Sequence, residues 1–150
     1  MILTYGLTLR QPFAWAIAHS TKRIENRDWA CWPAVIGQHV AIHVSVAETK
    51  TYYAWAKNVI FQRTGITVPL QSHHVRSAIV AVAKVTKCVE QDTLDALEYC
   101  KDPWWLGPYG WVLDDVHTLQ TPVPCKGNFK LWRLSDEVMS QVREQLGVVQ

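Results

Sequence analysis

The stretch SAIVAVAKVTKCV, Ser77 to Val89, constrains the fold more than any other part of the chain. It is β-branched and apolar, and at first it is apolar on both faces. A strand of that kind needs cover on both sides, which places it in the centre of a sheet or barrel. The other extended segments are shorter. Gly6 to Leu9 opens the chain, Ile24 to Trp29 is extended, Trp111 to Leu119 is a further strand, and Lys130 to Leu134 is the last. His39 to Ser45 alternates, with Val40, Ile42 and Val44 on one face and His39, Ala41 and His43 on the other, the pattern of a half-buried strand.

Helices stand between the strands. Gln11-Pro12 opens one from Phe13 to about His19, since proline costs nothing in a first turn. Ser45-Val46-Ala47-Glu48 reads as a capping box for a second, from about Val46 to Arg63. Its apolar stripe is Tyr52, Trp55, Ala56, Val59 and Ile60, and it stops at Gly65. Asp92 caps a short helix through Leu94, Leu97 and Glu98. Ser135 and Asp136 start a terminal one that ends at Gly147. Thr67 to His74 and Pro103 to Gly110 are loops, and Pro122 to Gly127 is a rigid connector. This order predicts one α+β domain over residues 1–150, a mixed β-barrel with flanking helices.

With 150 residues the chain can bury about two thirds of its unfolded surface. No apolar run approaches a membrane span and Met1 opens no signal-peptide pattern, so the expected location is cytoplasmic, with no membrane partner. Cys31, Cys88, Cys100 and Cys125 are scattered, without zinc-finger spacing, and read as reduced structural thiols. His73-His74 has no nearby Asp, Glu or Cys, and neither a metal nor another cofactor is expected. A net charge of +2 excludes a polycation that wraps phosphate by bulk charge. Eight tryptophans are more than a core of this size needs, and Trp29, Trp32, Trp104 and Trp105 fall in loops, where indoles can stack on bases.

The densest charged cluster is Lys22, Arg23, Glu25, Arg27 and Asp28. An edge strand with solvated ion pairs accounts for it, and so does a cleft in which Lys22 and Arg27 bind phosphate while Glu25 reads a base. Arg10 and Gln11 precede the first helix, where Gln11 serves either as a cap or as a reader of a base edge. His43 is a satisfied structural group or a proton carrier. Tyr109, Gly110 and Trp111 put two aromatics beside a glycine, and Lys126 lies in a basic turn.

Four segments, LTLRQPFAWAIAHSTKRIENRDW, GQHVAIHVS, SAIVAVAKVTKCVE and GPYGWVLDDVHTLQTPVPCKGNFKLWRL, resemble the ASCH (activating-signal-cointegrator homology) family of the PUA-like superfamily, from about Leu7 to Leu134. The specific parts are Gln11-Pro12, the K-x-x-E-x-R of Lys22, Glu25 and Arg27, and the P-x-x-x-K-G-x-x-x-x-W of Pro122 to Trp132. The resemblance implies a barrel with a cleft between its helices. It also implies a role as a nucleic-acid-binding module, a ribonuclease, or an amidohydrolase that deacetylates acetylated cytidine. Lys22 matches the lysine of the family's cleft. The small amidohydrolases carry threonine where this chain has Glu25, which sets it with the longer, cointegrator-like branch. His19-Ser20-Thr21 also departs from the glycine that many members have before the lysine.

Two functions follow as expectations. In the first, Arg10, Lys22, Arg27 and Lys126 hold the phosphates of RNA or another single strand. Gln11, Glu25 and backbone near Tyr109 then read a base edge, with Trp29, Tyr109 and Trp111 among the binding residues. In the second, Lys22 and Glu25 are catalytic in hydrolysing a modified nucleoside or an RNA backbone. Two flanking cations suit Glu25 to accepting hydrogen bonds rather than to moving protons, and the balance leans to binding. An interaction surface at Trp104-Trp105 is a third, weaker reading.

Overall fold

The computed structural model describes residues 1–147. Six strands form one mixed sheet in the order β2-β5-β4-β3-β1-β6. These are β1 (Leu3–Leu9), β2 (Ile24–Arg27), β3 (His39–Val44), β4 (Ala78–Glu90), β5 (Tyr109–Pro124) and β6 (Leu131–Arg133). The sheet curls into a half-barrel, accompanied by α1 (Phe13–His19), α2 (Lys50–Thr64), α3 (Ala96–Tyr99) and α4 (Asp136–Leu146). No described helix is long and apolar enough to cross a membrane.

The apolar run places β4 as expected, between β3 and β5 and antiparallel to both. One parallel pair, β1 with β3, is joined through α1 and β2. Both faces of the sheet are covered. The larger core packs Leu7, Val40, Ile42 and Val85 against α1 and α2. A smaller core packs Ala41, Ile79, Val82 and Leu119 beneath Val142 of α4. The expectation of a half-buried β3 is corrected by this second layer, for all six of its residues are buried, His39 and His43 included.

The remaining differences have local causes. Helix α2 begins at Lys50, and its cap is Thr49, whose hydroxyl accepts the Tyr52 N–H at 3.0 Å. The Ser45–Glu48 capping box does not form, because the Glu48 carboxylate is occupied by Arg76, Gln71 and the Gln11 N–H. The buried face of α2 is Tyr53, Ala56 and Ile60, which leaves Trp55 exposed. Asp92 lies in a turn, the short helix starts only at Ala96, and Leu94 and Leu97 face solvent. Pro122 and Pro124 belong to β5 rather than to a connector. Strand β2 covers only Tyr109 to Val112, so near its end β5 has no strand on its outer edge among the described residues to miss the proline N–H groups, and Gln145 of α4 bonds Thr121 there instead.

Trp104 and Trp105 are the largest departure. Both are buried, which removes the interaction surface expected there. Their loop is held by Asn26, whose amide donates to the Trp104 carbonyl at 2.9 Å and accepts from Leu106 N (2.8 Å) and Gly107 N (3.1 Å). The Trp105 ring fills the space that a side chain at Gly110 would need, with Ile24 on the other side. Gly110→Ala should therefore overpack this corner and cost about 1–3 kcal/mol in urea unfolding. A neutral result would mean that the loop is not packed as described.

Candidate nucleic-acid cleft

Residues from α1, β2, α2 and the turn after β5 enclose an open cleft of about 1560 Å³. Lys22, Glu25 and Arg27 lie on its floor and wall. The backbone N–H of Lys22 returns to the end of α1, bonding Ala16 O at 3.3 Å, which turns the lysine inward just before β2. Its ammonium is 1% exposed, donates to the Ile24 carbonyl and lies 3.3 Å from Glu25 Oε1. The other Glu25 oxygen pairs with Arg27 Nη2 at 2.9 Å, and the same Nη2 donates to Thr8 O at 2.7 Å. One carboxylate thus bridges two cations. The rings of Phe13 and Trp104 face the ammonium at 5.4 and 5.9 Å. Burial holds the Lys22 pKa below the ordinary lysine value, against the opposing pull of Glu25.

A second network stiffens the opposite wall. His43 Nε2–H donates to Cys125 O at 2.8 Å, and Nδ1 takes the Thr8 hydroxyl at 3.1 Å. Thr8 in turn accepts Trp132 Nε1–H at 3.0 Å. Burial lowers the His43 pKa, opposed by the Cys125 carbonyl, so the ring is a satisfied neutral group. Gly127 rests directly on it. A Cβ at that position would come within 2.5 Å of the imidazole and 2.6 Å of Thr8 Oγ1. The glycine and tryptophan of the closing K-G-x-x-x-x-W segment therefore act together, clamping the turn that presents Lys126 and Lys130 to the cleft.

Of the residues expected at the site, Arg10, Lys22, Glu25, Arg27, Trp29 and Lys126 line the cleft. Gln11, Tyr109 and Trp111 do not. Gln11 is buried, and from the position before the Pro12 N-cap its side-chain oxygen accepts the first-turn Trp15 N–H of α1 at 2.9 Å. Tyr109 pairs with Arg27 across β2 and β5, and its hydroxyl points to Glu90 at 3.5 Å. Trp111 is fully enclosed and supports Trp29 edge-on at 4.9 Å, so its ring has no free face for a ligand. Trp32 is exposed but packs on Tyr5, outside the cleft.

The sequence reading missed several lining residues. Tyr52 and Trp55, expected in the buried stripe of α2, both face the cleft, where Arg10 lies 4.9 Å from the Tyr52 ring. Phe129, 90% exposed, stands at the rim, and Lys130 lies 5.6 Å from the Trp29 ring. Trp55 shares its helix face with Thr51, Asn58 and Gln62, and that polar company was the available signal that it faces outward.

Solved structures share this architecture. A crystal structure of ASCH from Zymomonas mobilis matches with a TM-score of 0.57 at 13% identity, covering 93% of both chains. The chain has the ASCH-domain fold. Two mutant forms of the same Zymomonas mobilis protein match with TM-scores of 0.55 and 0.53, each at 15% identity over 93% of this chain and 94% and 96% of theirs. No family model and no curated protein matches the sequence. The resemblance read from the motifs therefore agrees with the three-dimensional architecture, and the cleft lies between the curled ASCH sheet and its helices.

Because Lys22 is neutralised more easily in the folded state than in the unfolded chain, its contribution to stability depends on pH. Between its folded pKa and the ordinary value of 10.5, the unfolded chain keeps a proton that the folded chain has lost. Stability from this group therefore rises with pH across that window. Urea unfolding at several pH values should show the wild type gaining on Lys22→Met as pH rises toward 10.5. A constant difference would show that Lys22 has the same affinity for its proton in both states.

Proposed function

We propose that the cleft binds RNA or another single-stranded nucleic acid. The observation that carries this reading is the concentration of charge and aromatic surface in one place. Arg10, Lys22, Arg27, Lys126 and Lys130 line the cleft against only Glu25 and Asp28, although the whole chain has a net charge of +2. Trp29, Tyr52, Trp55 and Phe129 supply flat rings between these cations. Bases stack on such rings only when they are unpaired, which favours single strands over duplex. The volume, about 1560 Å³, exceeds the roughly 300–1,000 Å³ of an ordinary small-molecule pocket and suits a strand segment.

The exposed lysines contact phosphate in this reading, and Glu25 accepts hydrogen bonds from an exocyclic amine at the cleft floor. The PUA-like architecture, which is generally RNA-binding, supports it. So does the rigidity of the walls, because groups held in place before binding lose little freedom on binding.

One observation favours a hydrolytic alternative. Lys22 combines full burial, a lowered pKa and a carboxylate at 3.3 Å, a combination common at catalytic centres. In an acyl-amide hydrolysis Glu25 would take a proton from the attacking water. Lys22 would stabilise the oxyanion, and as the C–N bond breaks Glu25 would pass its proton to the departing cytidine amine, leaving acetate as the second product. A ribonuclease reading has no comparable support.

Titration of a labelled single-stranded RNA separates these readings. Lys126→Ala should weaken binding and reduce the slope of log K against log salt by about one, since one phosphate contact is lost. Trp29→Ala should cost about 1–3 kcal/mol of binding. In parallel, release of acetate from acetylated cytidine, absent from the Glu25→Gln variant, would establish the hydrolytic alternative. No saturable binding at low salt, with no turnover, would defeat both.

A further inference from the structure

On the opposite side of β3 from the larger core, His39, Asp115 and His117 meet near the rim of the smaller one, and none of them lines the cleft. We propose that these three side chains bind a divalent transition-metal ion, with Zn²⁺ the best match to their chemistry.

The site depends on an irregularity of the sheet. His39 pairs with Lys84 of β4, and Lys84 pairs with Asp114 of β5. Two residues further along β4, however, Val82 pairs with His117, three residues beyond Asp114. Strand β5 thus carries one extra residue here, a bulge. In a regular strand His117 would point to the face opposite His39. The bulge turns it to the same face. Asp115 lies within the bulge with φ of 46°, in the left-handed region that few non-glycine residues enter, aspartate more readily than most. Bulges that re-aim a side chain, and residues held in sparsely populated conformations, concentrate at functional positions.

Distances and donor types agree with a metal. One ligand atom from each residue falls within a 4.8 Å span. His39 Nε2 lies 2.7 Å from one Asp115 oxygen, and His117 Nε2 lies 2.9 Å from the other. Neighbouring donors around a tetrahedral Zn²⁺ are separated by roughly 3.3 Å, given metal–ligand bonds of about 2.0–2.1 Å. An ion therefore fits after small rotations of the two outer side chains. His39 is held by the core with 8% of its side chain exposed, whereas Asp115 and His117 are half-exposed and free to adjust. An aspartate carboxylate is ordinarily ionised near neutral pH, so Asp115 offers an anionic oxygen between the two imidazoles.

Two imidazole nitrogens and one carboxylate select borderline ions over Ca²⁺ and Mg²⁺, which favour oxygen throughout. Three protein ligands leave a position open to water. Lys84, on the same face by register, opposes the ion's charge and tempers the affinity.

The full chain would be titrated with Co²⁺ and followed by visible absorption, then challenged with Zn²⁺, and its thermal midpoint would be measured with and without Zn²⁺. The expected result is one Co²⁺ per chain, displaced by Zn²⁺, with a rise in the midpoint. His117→Ala and Asp115→Asn should each weaken binding about tenfold or more and abolish the rise. His73→Ala, at another exposed histidine, should change nothing. Because His117 and Asp115 are half-exposed, circular dichroism of the metal-free variants should match the wild type. The proposal is overturned by the absence of stoichiometric binding, or by unchanged binding in the His117→Ala and Asp115→Asn variants. Thiolate-to-cobalt charge transfer, which would assign the ion to a cysteine, would overturn it as well.

Discussion

The Glu25 carboxylate, bridging Lys22 and Arg27, is the interaction on which the cleft depends. Taking one carboxylate and two cations out of water is costly, and only mutual pairing with further hydrogen bonds offsets the cost. The Ile24 carbonyl serves Lys22 and the Thr8 carbonyl serves Arg27, so the charges are tied to β1 and β2 at once. These two strands are not neighbours in the sheet, since β5, β4 and β3 lie between them. The ion network therefore spans the concave side of the half-barrel, and the curl of the sheet and the charge of the cleft are one feature.

Around this centre, polar groups are used as joints. Asn26 sits one residue beyond Glu25 and makes three bonds to the tryptophan loop, which fixes that wall to β2. Glu48 does the same for α2, gathering Gln11, Gln71 and Arg76 on one carboxylate. Thr8, His43 and Trp132 join β1, β3 and β6, and Gly127 closes over them. A cleft with walls so supported keeps its shape without a ligand, as a preorganised binding surface requires.

The two cores divide the molecule. The larger one carries the cleft, and the smaller one seals the opposite face beneath α4, where it also buries His39. Strand β3 contributes a histidine to each arrangement, His43 to the cleft wall and His39 to the cluster with Asp115 and His117. Their surroundings give them different duties. His43 has both nitrogens bonded inside the protein, while His39 meets a solvent-facing carboxylate.

Local signals alone determined a good part of this chain. Pro12 with its apolar stripe marked α1, Gly65 and Gly147 marked where helices stop, Ser135 marked where α4 starts, and the two-sided apolar run marked β4 as central. The charges at Lys22, Glu25 and Arg27 were legible too, because a dense mixture of signs within six residues demands pairing. What stayed hidden was decided by partners distant in sequence. Glu48 looked like a cap until Arg76, 28 residues on, took its carboxylate. Trp104 and Trp105 looked exposed until Asn26 drew their loop inward, and His117 changed faces through one extra residue in β5. Capping and periodicity act within a turn or two and can be read along the chain. Burial, and the direction in which a side chain points, depend on what packs against it, and only the tertiary structure decides that.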